Sequence, residues 1–156
     1  MKKRINKKKL FLLGAMAALL LGLAAFALCR QQAAKRQEDA LSISEVSPLS
    51  FLCPEGGGIC AWAELYNGSG KDTDISGFSL SLGEETEAFV FPEGSCIPAG
   101  GYLLVHFGDC GSRYAFAFAS PALGEGPLLL LNRRGRCIDS AALGTAGAGQ
   151  SLIRDG

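Results

Sequence analysis

The chain has 156 residues, and its 15 basic and 15 acidic residues cancel to a formal charge of zero. The balance is uneven: from Leu41 onward six basic residues face thirteen acidic ones, a formal charge of −7. A domain charged this way has no general attraction for phosphate backbones, which argues against nucleic-acid binding.

Met1–Lys9, "MKKRINKKK", carries six basic residues and no acid. Leu10–Cys29, "LFLLGAMAALLLGLAAFALC", is an unbroken apolar run of twenty residues. As a helix at about 1.5 Å per residue, such a run spans a hydrocarbon core of about 30 Å. Positive charge ahead of the run places the N-terminus in the cytoplasm and the rest outside. Two fates stay open: a signal anchor that remains as a single span, or a signal peptide cleaved near Ala25-Phe26-Ala27. Cys29 is a poor lipoprotein site, because bulky Leu28 precedes it. Arg30–Ala40, "RQQAAKRQEDA", is polar and helix-favouring and reads as a short stalk. The expected division is therefore a cytoplasmic tail (1–9), an anchor or signal (10–29), a stalk (30–40) and a β domain (41–156).

From Leu41 short apolar alternations are separated by Gly, Pro, Asp and Asn, which predicts an all-β sandwich or barrel. Ser42–Pro48 alternates with Ile43 and Glu45 on one face and Ser44 and Val46 on the other. Ala61–Asn67, "AWAELYN", sets Trp62, Glu64 and Tyr66 on one face and Ala61, Ala63 and Leu65 on the other. We expect the aromatic face to pack against the strand carrying Phe78 and Leu80. Glu64 would then need donors from backbone amides or a neighbouring hydroxyl, because a buried unpaired charge is costly. Ile75–Leu82 predicts Phe78, Leu80 and Leu82 inward and Ser79 and Ser81 outward. Glu87–Phe91, Tyr102–Phe107, a weak Arg113–Phe118, Pro127–Leu131 and Gly135–Ala142 complete the expected strands.

Five cysteines follow the apolar run: Cys53, Cys60, Cys96, Cys110 and Cys137. Outside the cytoplasm disulfides persist, and the expected pairs are Cys53–Cys60, around the flexible "PEGGGI", and Cys96–Cys110. Neither a C-x2-C pair nor a histidine beside a cysteine pair is present, which argues against zinc.

Several stretches suggest chemistry and fail on spacing. "DTDISG", Asp72–Gly77, opens like a calcium loop, but its twelfth position is Gly83, so a polar turn is the better reading. "GSGK", Gly68–Lys71, lacks the first glycine of a phosphate loop and is followed by Asp72. His106 is the only histidine and has no nucleophile motif to serve. Glu84, Glu85 and Glu87 read as a solvated turn rather than a hydrolase pair. Asn67-Gly68-Ser69 fits the N-glycosylation triplet, which a glycine-rich turn explains equally well. The sequence thus offers no catalytic residues, no cofactor and no metal site.

"ISEV" (Ile43–Val46), "WAELYN" (Trp62–Asn67), "DISGFSLS" (Asp74–Ser81), "FPEGSCIPAGGYLLV" (Phe91–Val105), "LGEGPLLLLNRRGRCIDS" (Leu123–Ser140) and "GQSLIRDG" (Gly149–Gly156) together resemble, in order, the bacterial lamin-tail domain. Ser44 and Ala63 depart from the family, which more often has Asn and a β-branched residue there. The ending is also compressed relative to the family pattern. The resemblance implies an immunoglobulin-like β-sandwich without catalytic residues, exported or membrane-tethered. The expected function is a non-catalytic extracytoplasmic binding or tethering module. It would be held to the cell membrane by its N-terminal helix and engage an envelope protein or polysaccharide. The alternatives are secretion after cleavage, and an accessory domain at the front of a longer exported hydrolase or spore-coat-type kinase.

Overall fold

The computed structural model describes residues 7–50, 60–83, 88–108, 113–116, 126–142 and 152–153, with side chains over 13–47, 61–83, 88–108, 113–114 and 126–142. The chain forms two compact units, Met1–Arg36 and Gln37–Gly156. The first is supplied by α1 (Lys7–Glu38), in which leucine and alanine dominate and Lys35 and Arg36 complement the dipole of the last turn. Leu13–Glu38 is long and apolar enough to cross a membrane, and the side chains of residues 13–36 are all exposed. The helix thus continues without a break through the stretch read as a stalk.

The second unit is built from strands, almost all antiparallel. A five-stranded sheet joins β1 (Leu41–Ser50), β2 (Cys60–Asn67), β7 (Tyr102–Phe107), β8 (Ala115–Phe116) and β11 (Leu152–Ile153) in the order β11-β1-β2-β7-β8. A four-stranded sheet joins β4 (Ser79–Leu82), β5 (Ala88–Val90), β9 (Pro127–Leu131) and β10 (Cys137–Ala142) in the order β10-β9-β4-β5. A small two-stranded ladder pairs β3 (Thr73–Asp74) with β6 (Cys96–Ile97). One core draws on both larger sheets: Ile43, Val46, Ala63, Leu65 and Val105 from the first, and Leu80, Leu128 and Leu130 from the second. Phe78, Phe91, Ile75 and Ile97, with Leu41, Ala61 and Phe107, complete it.

Strict alternation fails in β1, and the failure is instructive. Ile43 and Val46 are both buried although three positions apart, because a β-bulge falls between Ile43 and Glu45. The extra residue re-phases the strand, so that both apolar side chains enter the core. β10 carries a bulge of its own between Cys137 and Asp139. There the Asp139 carboxylate accepts the backbone N–H of Ile43 at 2.8 Å, tying an edge of one sheet to a strand of the other.

The expectation for β2 is reversed. Ala61, Ala63, Leu65 and Asn67 are buried, whereas Trp62, Glu64 and Tyr66 are only half-buried on the opposite face. Alternation separates two faces without saying which one turns inward. The small alanines leave core volume for large rings such as Phe78 and Phe91, in keeping with close packing. In β4, Leu82 is half-buried and Ser81 is buried, its hydroxyl donating to the Gly83 carbonyl at 2.9 Å. β3 and β6 lie in segments read from sequence as turns.

Asn67, fully buried at the end of β2, organises the loops around it. Its side-chain amide donates to the carbonyls of Lys71 (2.9 Å), Ile97 (2.9 Å) and Pro98 (3.0 Å). Its Oδ1 accepts from the Ser69 N–H at 3.0 Å. Its backbone closes onto the Ala99–Gly101 turn, donating to Gly101 and accepting from Gly100. Gly100 has a φ of 65°, and a Cβ at Gly101 would lie 3.1 Å from the Pro98 carbonyl, so the turn needs both glycines. The triplet Asn67-Gly68-Ser69 therefore spends its asparagine nitrogen inside the fold. Replacing Asn67 by Ala removes its four side-chain hydrogen bonds, leaving the Lys71 and Pro98 carbonyls with the Ser69 hydroxyl and the Gly101 N–H, and should lower the unfolding free energy by about 2–4 kcal/mol. Chemical denaturation followed by the fluorescence of Trp62 measures it, and an unchanged midpoint would refute the assigned role.

Candidate functional site

Two surfaces of the β domain gather polar or aromatic side chains. The first is a cleft of about 450 Å³ lined by Asp74, Ser76, Glu93, Gly94, Ser95, Cys96 and Arg133. It forms because the β3–β6 ladder sets Asp74 opposite Cys96, and the β9–β10 turn brings Arg133 across them. Asp74 Oδ1 accepts the Ser76 hydroxyl at 2.5 Å and the Ser76 N–H at 2.9 Å, while Oδ2 meets Arg133 at 2.6 Å. Arg133 Nε donates to the Ser76 carbonyl, and the guanidinium lies over the Phe78 ring. The Gly94 N–H donates to the Ser76 hydroxyl at 3.0 Å. The aspartates of the "DTDISG" stretch are thus spent on the protein: Asp74 as described, and Asp72 accepting the Ala99 N–H at 3.0 Å. The cleft is a turn clamp in which Asp74, Ser76 and Arg133 satisfy one another.

Cys96 stands at this cleft as a free, exposed thiol, and Cys110, its expected partner, lies outside the described residues. A short edge strand held by Asp74 presents Cys96 to solvent rather than to a partner. Cys137 and Cys29 are also free and exposed. Cys53, Cys110 and the side chain of Cys60 lie outside the described residues, as do Glu84, Glu85 and Glu87.

The second surface is the outer face of the five-stranded sheet. Cross-strand register sets Tyr66 opposite Tyr102 on one side and Ser42 on the other. It sets Glu64 between Glu45 and Leu104, and Trp62 between Ser47 and His106. Tyr66 and Tyr102 pack with ring centroids 4.8 Å apart and tilted by 33°. Tyr102 is 59 % exposed and Leu104 40 %, on the stretch of β7 that precedes its pairing with β8. Glu64 Oε1 accepts the Ser44 hydroxyl at 2.7 Å, and the bulge is what turns Ser44 toward it. Glu64 is therefore held by a hydroxyl, although on the outer face. Among the described residues no pair here joins a base to a nucleophile: His106 is buried, 9 % exposed, and its Nδ1 has no hydrogen-bond partner among them.

Sequence reasoning singled out Trp62, Glu64 and Tyr66, and the structure does bring them together. It missed Glu45, Tyr102 and Leu104, which join that face only through pairing of β1 and β7 with β2. The exposed tyrosine and leucine of "YLLVHF" were the available signal, because they fall on the face opposite Val105 and Phe107.

The Ser76 hydroxyl first, and Arg133 second, hold the Asp74 carboxyl at about 2 against an ordinary 3.8. A lowered folded value means the stabilisation is present above the unfolded value and is lost as pH falls toward 2. Asp74 is largely exposed, so its contribution at neutral pH should be below about 1 kcal/mol. Asp74→Asn should then melt slightly lower at pH 7, and the gap should close between pH 4 and pH 2. Melting curves across that range check it; a gap that widens on acidification would contradict the sign.

No family model matches this chain, and no curated protein does.

Proposed function

We propose that the protein is a non-catalytic binding or tethering module, held at the extracytoplasmic face of the cell membrane by α1. Its β domain is read as an immunoglobulin-like sandwich of the lamin-tail type. The observation that carries this reading is the exposed apolar surface of residues 13–29, on a helix long enough to span a bilayer. Exposed leucines such as Leu19, Leu20 and Leu21 in water would be a strong drive to associate, and hydrocarbon removes that cost. Basic residues ahead of the span favour a cytoplasmic N-terminus, which puts the acidic β domain outside. The β domain supports the binding role, because Tyr102 and Leu104 stand exposed on the outer face of the five-stranded sheet. Fold resemblance alone would not assign a ligand, since sandwiches host many functions.

In cell fractionation the full chain should sediment with membranes and resist an alkaline wash. External protease should digest the β domain in intact cells. A soluble product beginning near Leu28 would instead establish cleavage and secretion, and a protease-resistant β domain would reverse the orientation.

A further inference from the structure

The β domain is acidic overall, yet its basic residues are not spread evenly along it. Residues 71–74 and 133–136 hold four of the six basic residues found from Leu41 onward, and only two of the thirteen acidic ones. The fold gathers both segments around the point where the chain enters the domain. Gln37 Nε2 donates to the Asp72 carbonyl at 2.7 Å and to the Thr73 hydroxyl at 3.1 Å. Asn132 Nδ2 donates to Glu38 at 3.0 Å, and Arg136 Nη2 meets Glu38 at 3.2 Å and Asp39 at 2.9 Å. The described acids of these segments are already engaged: Glu38 and Asp39 by Arg136, Asp74 by Arg133, and Asp72 by the Ala99 N–H. Lys71 and Arg134 are exposed there. Arg134 sits in the β9–β10 turn, which Asn132 holds by accepting the N–H groups of Arg134 and Arg136. Lys35 and Arg36 directly precede Gln37 in the sequence.

We propose that this entry surface, centred on Lys71 and Arg134, binds the phosphate headgroups of anionic phospholipids in the leaflet from which the chain emerges. The inference rests on the tethering reading above and gives the tethered domain a partner. Residues 30–36 are all that separates the apolar run from Gln37. In a helix such as α1, which continues through Glu38, that stretch is about 12 Å long. Headgroups take up about 5–8 Å of it. The entry surface therefore lies within about one Debye length of fixed phosphate charge at physiological salt. Each lysine or arginine near such a surface raises partitioning about fivefold, and the arginine fork matches phosphate oxygens. The rest of the domain sequence carries eleven acids against two basic residues, Arg113 and Arg154, and is repelled by the same surface. Attraction at one end and repulsion of the remainder select the end that faces the lipid. A soluble anionic polymer would meet the formal charge of −7 with no tether to offset it, which favours the lipid.

The test places the full chain in lipid nanodiscs of phosphatidylcholine, with or without phosphatidylglycerol, each doped with a lipid that carries a gadolinium chelate on its headgroup. Paramagnetic relaxation of the Lys71 and Arg134 amides reads their distance from the headgroups. Phosphatidylglycerol should raise it about threefold or more, and about 0.5 M salt should remove the increase. Lys71→Gln and Arg134→Gln should each reduce the increase and together abolish it, whereas Arg134→Lys should keep most of it. Melting temperatures should stay unchanged in all of these, because both side chains are exposed. Arg113→Gln removes the same charge from a side chain bound to the Glu93 carbonyl, and should leave the increase intact. No effect of phosphatidylglycerol, an effect that survives the double variant, or an equal loss in Arg113→Gln would each overturn the proposal. Binding of soluble inorganic polyphosphate without any phosphatidylglycerol effect would also overturn it, in favour of a free anionic polymer. A chain that stays in the discs without the increase sinks this inference alone. A chain that elutes free of lipid removes the tethering reading instead.

Discussion

The buried side chain of Asn67 is the contact on which much of the β domain's geometry depends. One amide gathers carbonyls from residues 71, 97 and 98, and its oxygen holds Ser69. Those carbonyls belong to two stretches, the loop at Lys71 and the end of β6 at Ile97 and Pro98. Buried backbone groups require partners, so a single side chain at a strand end fixes where two chain segments meet β2. The β3–β6 ladder, the Asp74 clamp and the start of β7 all follow from that convergence. Asn132 repeats the device at the β9–β10 turn, accepting the N–H groups of Arg134 and Arg136 and donating to Glu38.

A second constraint comes from the bulges. Without the extra residue at Ser44, either Ile43 or Val46 would point to solvent. With it, both enter the core and the adjacent polar pair is displaced to the outer face. The same irregularity therefore completes the core and creates the crowded carboxylate face. Asp139, beside a bulge of its own, accepts the Ile43 N–H. Stability and surface chemistry are coupled here through local backbone geometry, not through a dedicated site.

Much of the strand inventory was legible. Tyr102–Phe107 and Pro127–Leu131 coincide with β7 and β9, because their apolar patterns are bounded by glycine and by "NRRG". The two-residue ladders β3 and β6 were not legible, since a polar turn and a very short strand have the same composition. The outer face was half legible: "AWAELYN" showed an aromatic–acid–aromatic row, but Trp62 and Tyr66 were assigned to the core because large rings are usually buried. Glu45 was placed with Ile43 by alternation, and only the bulge separates them.

By itself the sequence determined the division between an apolar helix of membrane-spanning length and a glycine-punctuated, acidic β segment. Length, hydropathy and alternation are local properties, readable without knowing any long-range contact. Tertiary structure alone decided which face of β2 turns inward, which asparagine becomes a buried hub, and which two glutamates meet. Each of those outcomes depends on strand register and on side chains far apart in sequence, and alternation is symmetric between the two faces until pairing breaks the symmetry.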